Sequence, residues 1–211
     1  KMKMSYSVQN IRNVCLLGHG GNGKTSLAES LLYMTGGTDR MGKPADGNTV
    51  CDFDPEEIKR QISISAAIAP VEYKGCKINL LDTPGNFDFV SEVVECLRVA
   101  EAGIMVCSAK GGMSVGTERA WKYLERRKLP CIIYISKTDE ENSDFNAAFS
   151  ALREKFGKTI APLVVPIWDG NKKVIGIVDV LNKRAFGVEH GKTLEMDIPE
   201  EKKEVVAELY E

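Results

Sequence analysis

A glycine-rich segment follows a short apolar run near the start of the chain. It reads Gly-His-Gly-Gly-Asn-Gly-Lys-Thr-Ser over residues 18–26 and has the spacing G-x-x-x-x-G-K-[ST] of a phosphate-binding P-loop. In such a loop, backbone N–H groups and a helix N-terminus surround phosphate oxygens. We therefore expect Lys24 to reach the β- and γ-phosphates and the Thr25 hydroxyl to bind Mg²⁺. The predicted phosphate-binding residues are Gly18, His19, Gly20, Gly21, Asn22, Gly23, Lys24, Thr25 and Ser26.

The same glycines also fit the G-x-G-x-x-G fingerprint of dinucleotide-binding sites. That fold requires a second strand soon after the helix, with an acidic residue about 20 positions beyond the glycines. Residues 36–44 are instead rich in glycine and polar residues and end in proline, which is typical of a loop. A dinucleotide site also has no use for the Lys-Thr pair. The segment therefore favours a nucleoside triphosphate.

Two further motifs follow apolar strand-like runs. Asp82-Thr83-Pro84-Gly85 can supply a carboxylate for Mg²⁺ and a backbone N–H for a γ-phosphate. In Ser136-Lys137-Thr138-Asp139, the aspartate can accept hydrogen bonds from guanine N1–H and the exocyclic amine, and the lysine stem can lie over the base. Either motif alone is more often a turn at a strand end. Their order behind a P-loop makes the combination specific for a guanine nucleotide, read by Lys137 and Asp139.

The composition excludes several other classes of protein. A net charge of −2 over 211 residues shows no basic excess of the kind that indicates nucleic-acid binding. Six scattered cysteines without a C-x-x-C pair indicate reduced thiols in a cytosolic protein. Two histidines exclude a histidine-rich metal centre. There is no apolar run of about 18 residues and no signal-peptide pattern, so we expect a cytoplasmic protein.

Strand and helix patterns alternate along the first three quarters of the chain. The strands are almost wholly apolar, which is typical of a parallel sheet covered on both faces. This predicts an α/β fold, with a doubly wound, mostly parallel sheet, helices on both faces and a ligand at the carboxyl ends of the strands. The predicted strands are 13–17, 63–73, 77–82, 103–108 and 131–136, and the predicted helices are 24–33, 87–99, 115–127 and 143–156.

The last 50 or so residues have a different character. A turn at Asp169-Gly170-Asn171 joins two apolar segments, 163–167 and 174–181, as in a hairpin, and a Glu/Lys-rich helix begins near Pro199. We expect a nucleotide-binding core over residues 1–160 and a partial, small β-rich subdomain over residues 161–211. Residues 35–61 show no convincing element, and a loop of that length inside a domain is usually functional or disordered. They lie where a nucleotide-sensing loop belongs.

Together these segments resemble the GTPase domain of translation factors, most closely that of elongation factor G and elongation-factor-G-like proteins. The resemblance covers nearly the whole chain, through the P-loop, residues 60–64, 79–85 and 137–139, and the start of an inserted subdomain at 165–179. It implies GTP hydrolysis with Mg²⁺ on the ribosome, in translocation or a related step, without membrane or direct DNA binding. It also implies that Ser63 joins Thr25 and Asp82 around Mg²⁺.

Three residues depart from the family pattern. Asn86 stands where the family usually has a histidine that helps to activate the attacking water. An amide can orient water but cannot act as an imidazole, so we expect slow or altered hydrolysis, with Asn86, Lys24 and Gly85 as the catalytic residues. Ser136 replaces an asparagine in the base-reading motif, and the loss of one hydrogen bond costs about 1 kcal/mol. Gln61 replaces a glycine before Ser63.

Other interpretations stay open at this point. Asn86 and Ser136 also suit a degenerate GTP-binding regulator with little hydrolysis, and tetracycline-resistance ribosomal protection proteins share the layout. A P-loop ATPase is disfavoured by Asp139. The family's last guanine contact, a Ser-Ala pair, has no counterpart after Asp139, because Ser108-Ala109 precedes the base-reading motif. This predicts an N-terminal fragment that lacks one sheet strand and binds nucleotide weakly.

Overall fold

The computed structural model describes residues 6–157, 159–169, 173–189 and 192–210. The chain divides into two compact units, with the boundary between Lys137 and Thr138. The first unit contains a five-stranded sheet and the second a four-stranded sheet. The predicted division at residues 160 and 161 follows the sequence motifs rather than compactness, and it stays a prediction.

The first sheet is mostly parallel, as the sequence predicts. Its strand order is β2-β3-β1-β4-β5. The pairs β3–β1, β1–β4 and β4–β5 are parallel, and only β2 runs antiparallel, against β3. The strands are β1 (Ile11–Leu17), β2 (Ala67–Tyr73), β3 (Cys76–Asp82), β4 (Ala102–Ser108) and β5 (Cys131–Ser136).

Helices of the first unit pack on this sheet. Helix α1 contacts β2 and β3, α3 contacts β1, and α4 contacts β4. A buried apolar cluster joins α1 to the sheet through Leu16, Ala28, Leu32, Ala69 and Leu80. These helices are α1 (Lys24–Met34), α2 (Pro55–Arg60), α3 (Val90–Val99) and α4 (Val115–Arg127), with 3-10 turns at Val8–Asn10, Pro44–Asp46 and Phe87–Phe89.

The expectation of no element over residues 35–61 is wrong for its last part, which contains α2. Asp54 caps this helix, and a reciprocal capping box joins it to Glu57, with Pro55 at the first helical position where its missing N–H costs nothing. The predicted strand over 63–73 is also too long, since β2 begins at Ala67. The N–H groups of residues 64–66 bond to glutamate side chains instead of to a neighbouring strand.

The second unit holds an antiparallel sheet of order β6-β7-β8-β9. The sequence predicts its first hairpin, of whose turn Gly170 and Asn171 lie outside the described residues, but not its last two strands. Its apolar core includes Val165, Ile167, Val178, Val180 and Ala185. The elements are α5 (Phe145–Phe156), β6 (Val164–Trp168), β7 (Val174–Asp179), β8 (Arg184–Glu189), β9 (Lys192–Met196) and α6 (Glu200–Tyr210). Within the described part of the chain, no helix has the length and apolar character needed to cross a membrane.

Candidate nucleotide-binding site

The glycine-rich loop lies between the end of β1 and the start of α1. Strand β1 lies between β3 and β4. The strands that follow β1 in the chain are first added on one side of it, as β2 and β3, and then on the other side, as β4 and β5, so the strand order reverses at β1. Ligands of open α/β sheets bind at such a point, outside the carboxyl ends of the strands. The motif beginning at Asp82 lies at the end of β3 and Ser136 at the end of β5, so the parallel strands place them at the same edge of the sheet.

Glycine is required at particular positions of this loop. Gly18 has φ of 141°, and a Cβ there would overlap the carbonyl oxygen of Val106. Gly23 has φ of 90° at the N-cap of α1 and brings no side chain that could cap the helix. The first N–H groups of α1 are therefore left to an external acceptor, which is the usual basis of anion binding at a helix N-terminus.

Lys24 is folded back onto the loop. Its buried Nζ donates hydrogen bonds to the carbonyl oxygens of Gly18 (3.1 Å) and His19 (3.2 Å). Burial lowers the pKa of Lys24, and the nearby carboxylates of Asp82 and Asp52 oppose that shift. A buried ammonium gains more from an anion than an exposed one does, because the charge is poorly solvated. The position suits a phosphate ligand.

The three residues predicted to hold Mg²⁺ lie together. Thr25 Oγ1 donates to Asp82 Oδ2 at 2.7 Å and lies 3.2 Å from Ser63 Oγ. The other carboxylate oxygen of Asp82, Oδ1, is buried and has no hydrogen-bond partner. Burial raises the pKa of Asp82 to about 6, against the opposing effects of the Thr25 hydrogen bond and the Lys24 charge. An orphaned carboxylate oxygen beside two hydroxyls fits a hard divalent cation.

Asp52 belongs to the same cluster, although no sequence motif marks it. It is buried, 6% exposed. Burial raises its pKa, and a hydrogen bond with Ser63 opposes that rise. Its only signal in the sequence is its position in the segment over residues 35–61, where a nucleotide-sensing loop is expected. It is a second carboxylate, beside the Ser63 hydroxyl that the cation would contact.

Gly85 lies against the phosphate loop. A Cβ at this position would overlap the backbone nitrogen of Gly20 and lie 2.6 Å from Lys24 Nζ. Only glycine therefore allows the Asp82–Gly85 turn to approach the loop this closely. Among the other predicted loop residues, Gly20, Gly21 and Ser26 are exposed and Asn22 is buried.

Asn86 is exposed, and its side-chain oxygen accepts a hydrogen bond from Asp88 N at 3.3 Å. It thereby caps the 3-10 turn at Phe87–Phe89. The adjacent Phe87 lies between two partners that the sequence does not reveal, because they are distant along the chain. Its ring centroid is 5.8 Å from that of His19, and the guanidinium of Arg119 lies 4.2 Å from its centroid.

Ser136 ties the end of β5 to the phosphate loop. Its hydroxyl is directed at the carbonyl oxygens of Asn22 (2.7 Å) and Cys107 (3.1 Å). Asn22 in turn donates its side-chain N–H to Val106 O at 2.9 Å. Serine therefore keeps a contact with the P-loop. Lys137 is the last residue of the first unit and exposed Asp139 belongs to the second, so their joint contact with a base stays a prediction.

The family assignment rests on a match that spans almost the whole chain. Residues 9–206 match the model described as elongation factor Tu GTP binding domain. The chain belongs to this family. The description of the family names GTP, so a guanine nucleotide is the ligand of this family.

Individual relatives are translation factors. The chain is 37% identical over 204 residues to an elongation factor G-like protein of Thermotoga maritima, covering 97% of this chain and 29% of that protein. It is 37% identical over 177 residues to a mitochondrial ribosome-releasing factor 2 of Mus musculus, covering 83% and 22%. A crystal structure of a protein from Thermus thermophilus matches with a TM-score of 0.89 and 38% identity, over 95% of this chain and 30% of that one.

The chain therefore spans less than a third of each of these proteins. The predicted membership in the elongation-factor GTP-binding domains and the predicted fold class are both confirmed.

Proposed function

We propose that this domain binds GTP with Mg²⁺ and hydrolyses it to GDP and phosphate, as the switch of a ribosome-associated translation factor that acts in translocation or a related step. The observation that carries the proposal is the cluster of Thr25, Ser63 and Asp82 beside buried Lys24. Lys24 neutralises phosphate charge, and the three oxygen ligands hold the cation. Bound Mg²⁺ supplies charge neutralisation at the phosphates.

Other residues would bind the γ-phosphate and the guanine base. The N–H of Gly85 contacts the γ-phosphate. Glycine is needed at this position because a Cβ would overlap the backbone of Gly20 in the P-loop. Lys137 and Asp139 bind the guanine base. Ser136 stabilises the P-loop by donating a hydrogen bond from its hydroxyl to Asn22 O. The names of the relatives, elongation factors and ribosome-releasing factors, support the ribosome as partner. Cytoplasm is the proposed location, although the relatives include mitochondrial proteins.

The first test is calorimetric titration of the purified chain with GTP, GDP and ATP. We expect both guanine nucleotides to bind, GTP more tightly with Mg²⁺ than with EDTA, and ATP to bind at least about tenfold more weakly than GTP, because it lacks the groups that Asp139 accepts from. Thr25→Ala is the matched variant, since it removes one cation ligand and should abolish the Mg²⁺ effect. Equal binding of ATP and GTP would contradict guanine recognition.

Asn86 makes slow hydrolysis part of the proposal. Its oxygen already accepts a bond from Asp88 N, and an amide has no titratable nitrogen with which to take a proton. We expect Asn86→His to raise the single-turnover rate of GTP hydrolysis in the presence of ribosomes by about tenfold or more. Asp88→Asn is the control, because it changes the same turn without adding an imidazole. A wild-type rate equal to that of Asn86→His would refute this part.

A second candidate function, a GTP-binding regulator with little hydrolysis, is favoured by the same hydrogen bond of Asn86 within its own turn. A single-turnover assay of GTP hydrolysis distinguishes the two functions. A regulator binds GTP and releases it unchanged with ribosomes present, whereas a GTPase forms GDP and phosphate.

A further inference from the structure

The stretch that carries Ser63 is held by side chains rather than by a strand. We call residues 62–66 the Ser63 segment. Within it, the N–H groups of Ile64 and Ser65 donate to Glu57 Oε1 at 2.9 and 3.0 Å. The N–H of Ala66 donates to Glu92 Oε2 at 2.7 Å. Two carboxylates from two different helices thus fix three consecutive backbone amides directly after Ser63.

The two carboxylates differ in what they connect. Glu57 lies on α2, the helix immediately before the Ser63 segment, so its hydrogen bonds are local in sequence and are strengthened by burial, with Glu57 only 2% exposed. Glu92 lies on α3, in the chain that follows the Asp82–Gly85 turn. Its hydrogen bond therefore joins the segment that carries Ser63 to the helix that follows Gly85.

The Glu92–Ala66 hydrogen bond connects two segments that contact the P-loop independently of each other, the one with Ser63 and the one with Gly85. Ser63 reaches Thr25 through its hydroxyl, and Gly85 packs on Gly20 and Lys24. A charge-assisted hydrogen bond of a carboxylate to a backbone N–H is about twice as strong as a neutral one. The Glu92–Ala66 bond is partly buried, so water competes with it only incompletely.

We propose that Glu92 is a positioning residue that couples the Gly85 turn to the Ser63 segment. While α3 is held by the Gly85 turn, Glu92 keeps Ala66 in place and thereby keeps the Ser63 hydroxyl beside Thr25. When α3 moves, the Ser63 segment loses this support. The inference rests on the proposed function, in which Ser63 contacts Mg²⁺ in the triphosphate state and Gly85 contacts the γ-phosphate.

The coupling predicts a selective defect. Glu92→Ala should weaken binding of the analogue GTPγS with Mg²⁺ by about fivefold or more, because the Ser63 ligand is no longer held, and should leave GDP affinity within about twofold of wild type. Glu92→Gln keeps a side-chain oxygen for Ala66 N–H and should retain most of the GTPγS affinity. Glu95→Ala, an exposed position on the same helix, is the matched control and should behave as wild type.

The measurements are titrations of each variant with GTPγS and GDP, together with hydrogen–deuterium exchange of peptides covering residues 62–67 without nucleotide. Faster exchange in Glu92→Ala than in Glu95→Ala supports the bond, and unchanged exchange overturns the inference. An equal loss of GTPγS and GDP affinity also overturns it, since that is the result of general destabilisation. If wild type binds neither nucleotide, the proposed function fails, while the exchange experiment still decides whether Glu92 holds the segment.

Discussion

Burial of Asp82 carries an electrostatic cost in the candidate nucleotide site. Its carboxyl is 1% exposed, one of its oxygens has no hydrogen-bond partner, and burial raises its pKa to about 6. A buried carboxylate without a cation beside it is poorly solvated. Asp82, the carboxylate proposed to bind Mg²⁺, is therefore expected to destabilise the nucleotide-free fold at neutral pH, which is a common conflict between function and stability.

The sign of this effect follows from proton linkage. An unfolded aspartate titrates near pH 4, whereas folded Asp82 keeps its proton up to about pH 6. The folded state thus binds more protons between these values, and the contribution of Asp82 to the free energy of unfolding falls as the pH rises from about 4 to about 6 and is then constant.

Asp82→Asn removes this titration and keeps an oxygen that can accept from Thr25. Without nucleotide, we expect the variant to be more stable than wild type above pH 6, by on the order of 2 kcal/mol, and nearly equal to it at pH 4. Chemical unfolding of both proteins at pH 4, 5, 6 and 7.5 measures the difference. Asp88→Asn, an exposed position, is the control. A stability difference that does not change with pH would contradict the assignment.

At the scale of elements, the sequence predicts the parallel sheet well because its strands are nearly continuous apolar runs. β5 and α4 have the predicted bounds, and the predicted start of α1 at Lys24 is fixed by the P-loop. β8 and β9 escape prediction because charged residues interrupt their apolar pattern. Two of these, Arg184 and Glu195, form a hydrogen bond between the two strands. The sequence between them, His190-Gly191, also lacks the Asn-Gly or Asp-Gly pattern that is the strongest sequence signal for a short hairpin.

The elements around the site are harder to predict where distant side chains decide their ends. β2 starts at Ala67 because Glu57 and Glu92 take the N–H groups before it, and no local pattern at Ser63 or Ser65 contains that information. The place of Phe87 between His19 and Arg119 likewise depends on three separate elements. The motifs therefore predict which residues meet the ligand, whereas the residues that hold those motifs emerge only from the tertiary structure.

At the scale of the whole molecule, the residues predicted to bind the nucleotide belong to both compact units. The P-loop, the cation ligands and Lys137 belong to the first, and Asp139 belongs to the second. Asp139 is exposed, so a substitution there should leave the fold intact. This makes the predicted base contact testable apart from the phosphate and cation contacts of the first unit.

Asp139→Asn should exchange the base preference of the domain. The carboxylate can only accept hydrogen bonds, which suits the two donors of guanine, whereas an amide also donates and suits the carbonyl that xanthine carries in place of the amine. We expect GTP affinity to fall by about tenfold or more and XTP affinity to rise above that of wild type. The measurement is competition of GTP and XTP for the same site, with Glu141→Gln, an exposed neighbour, as the control. If GTP affinity is unchanged in Asp139→Asn, this residue does not read the base, although binding of phosphate and Mg²⁺ through Lys24 and Thr25 would stand.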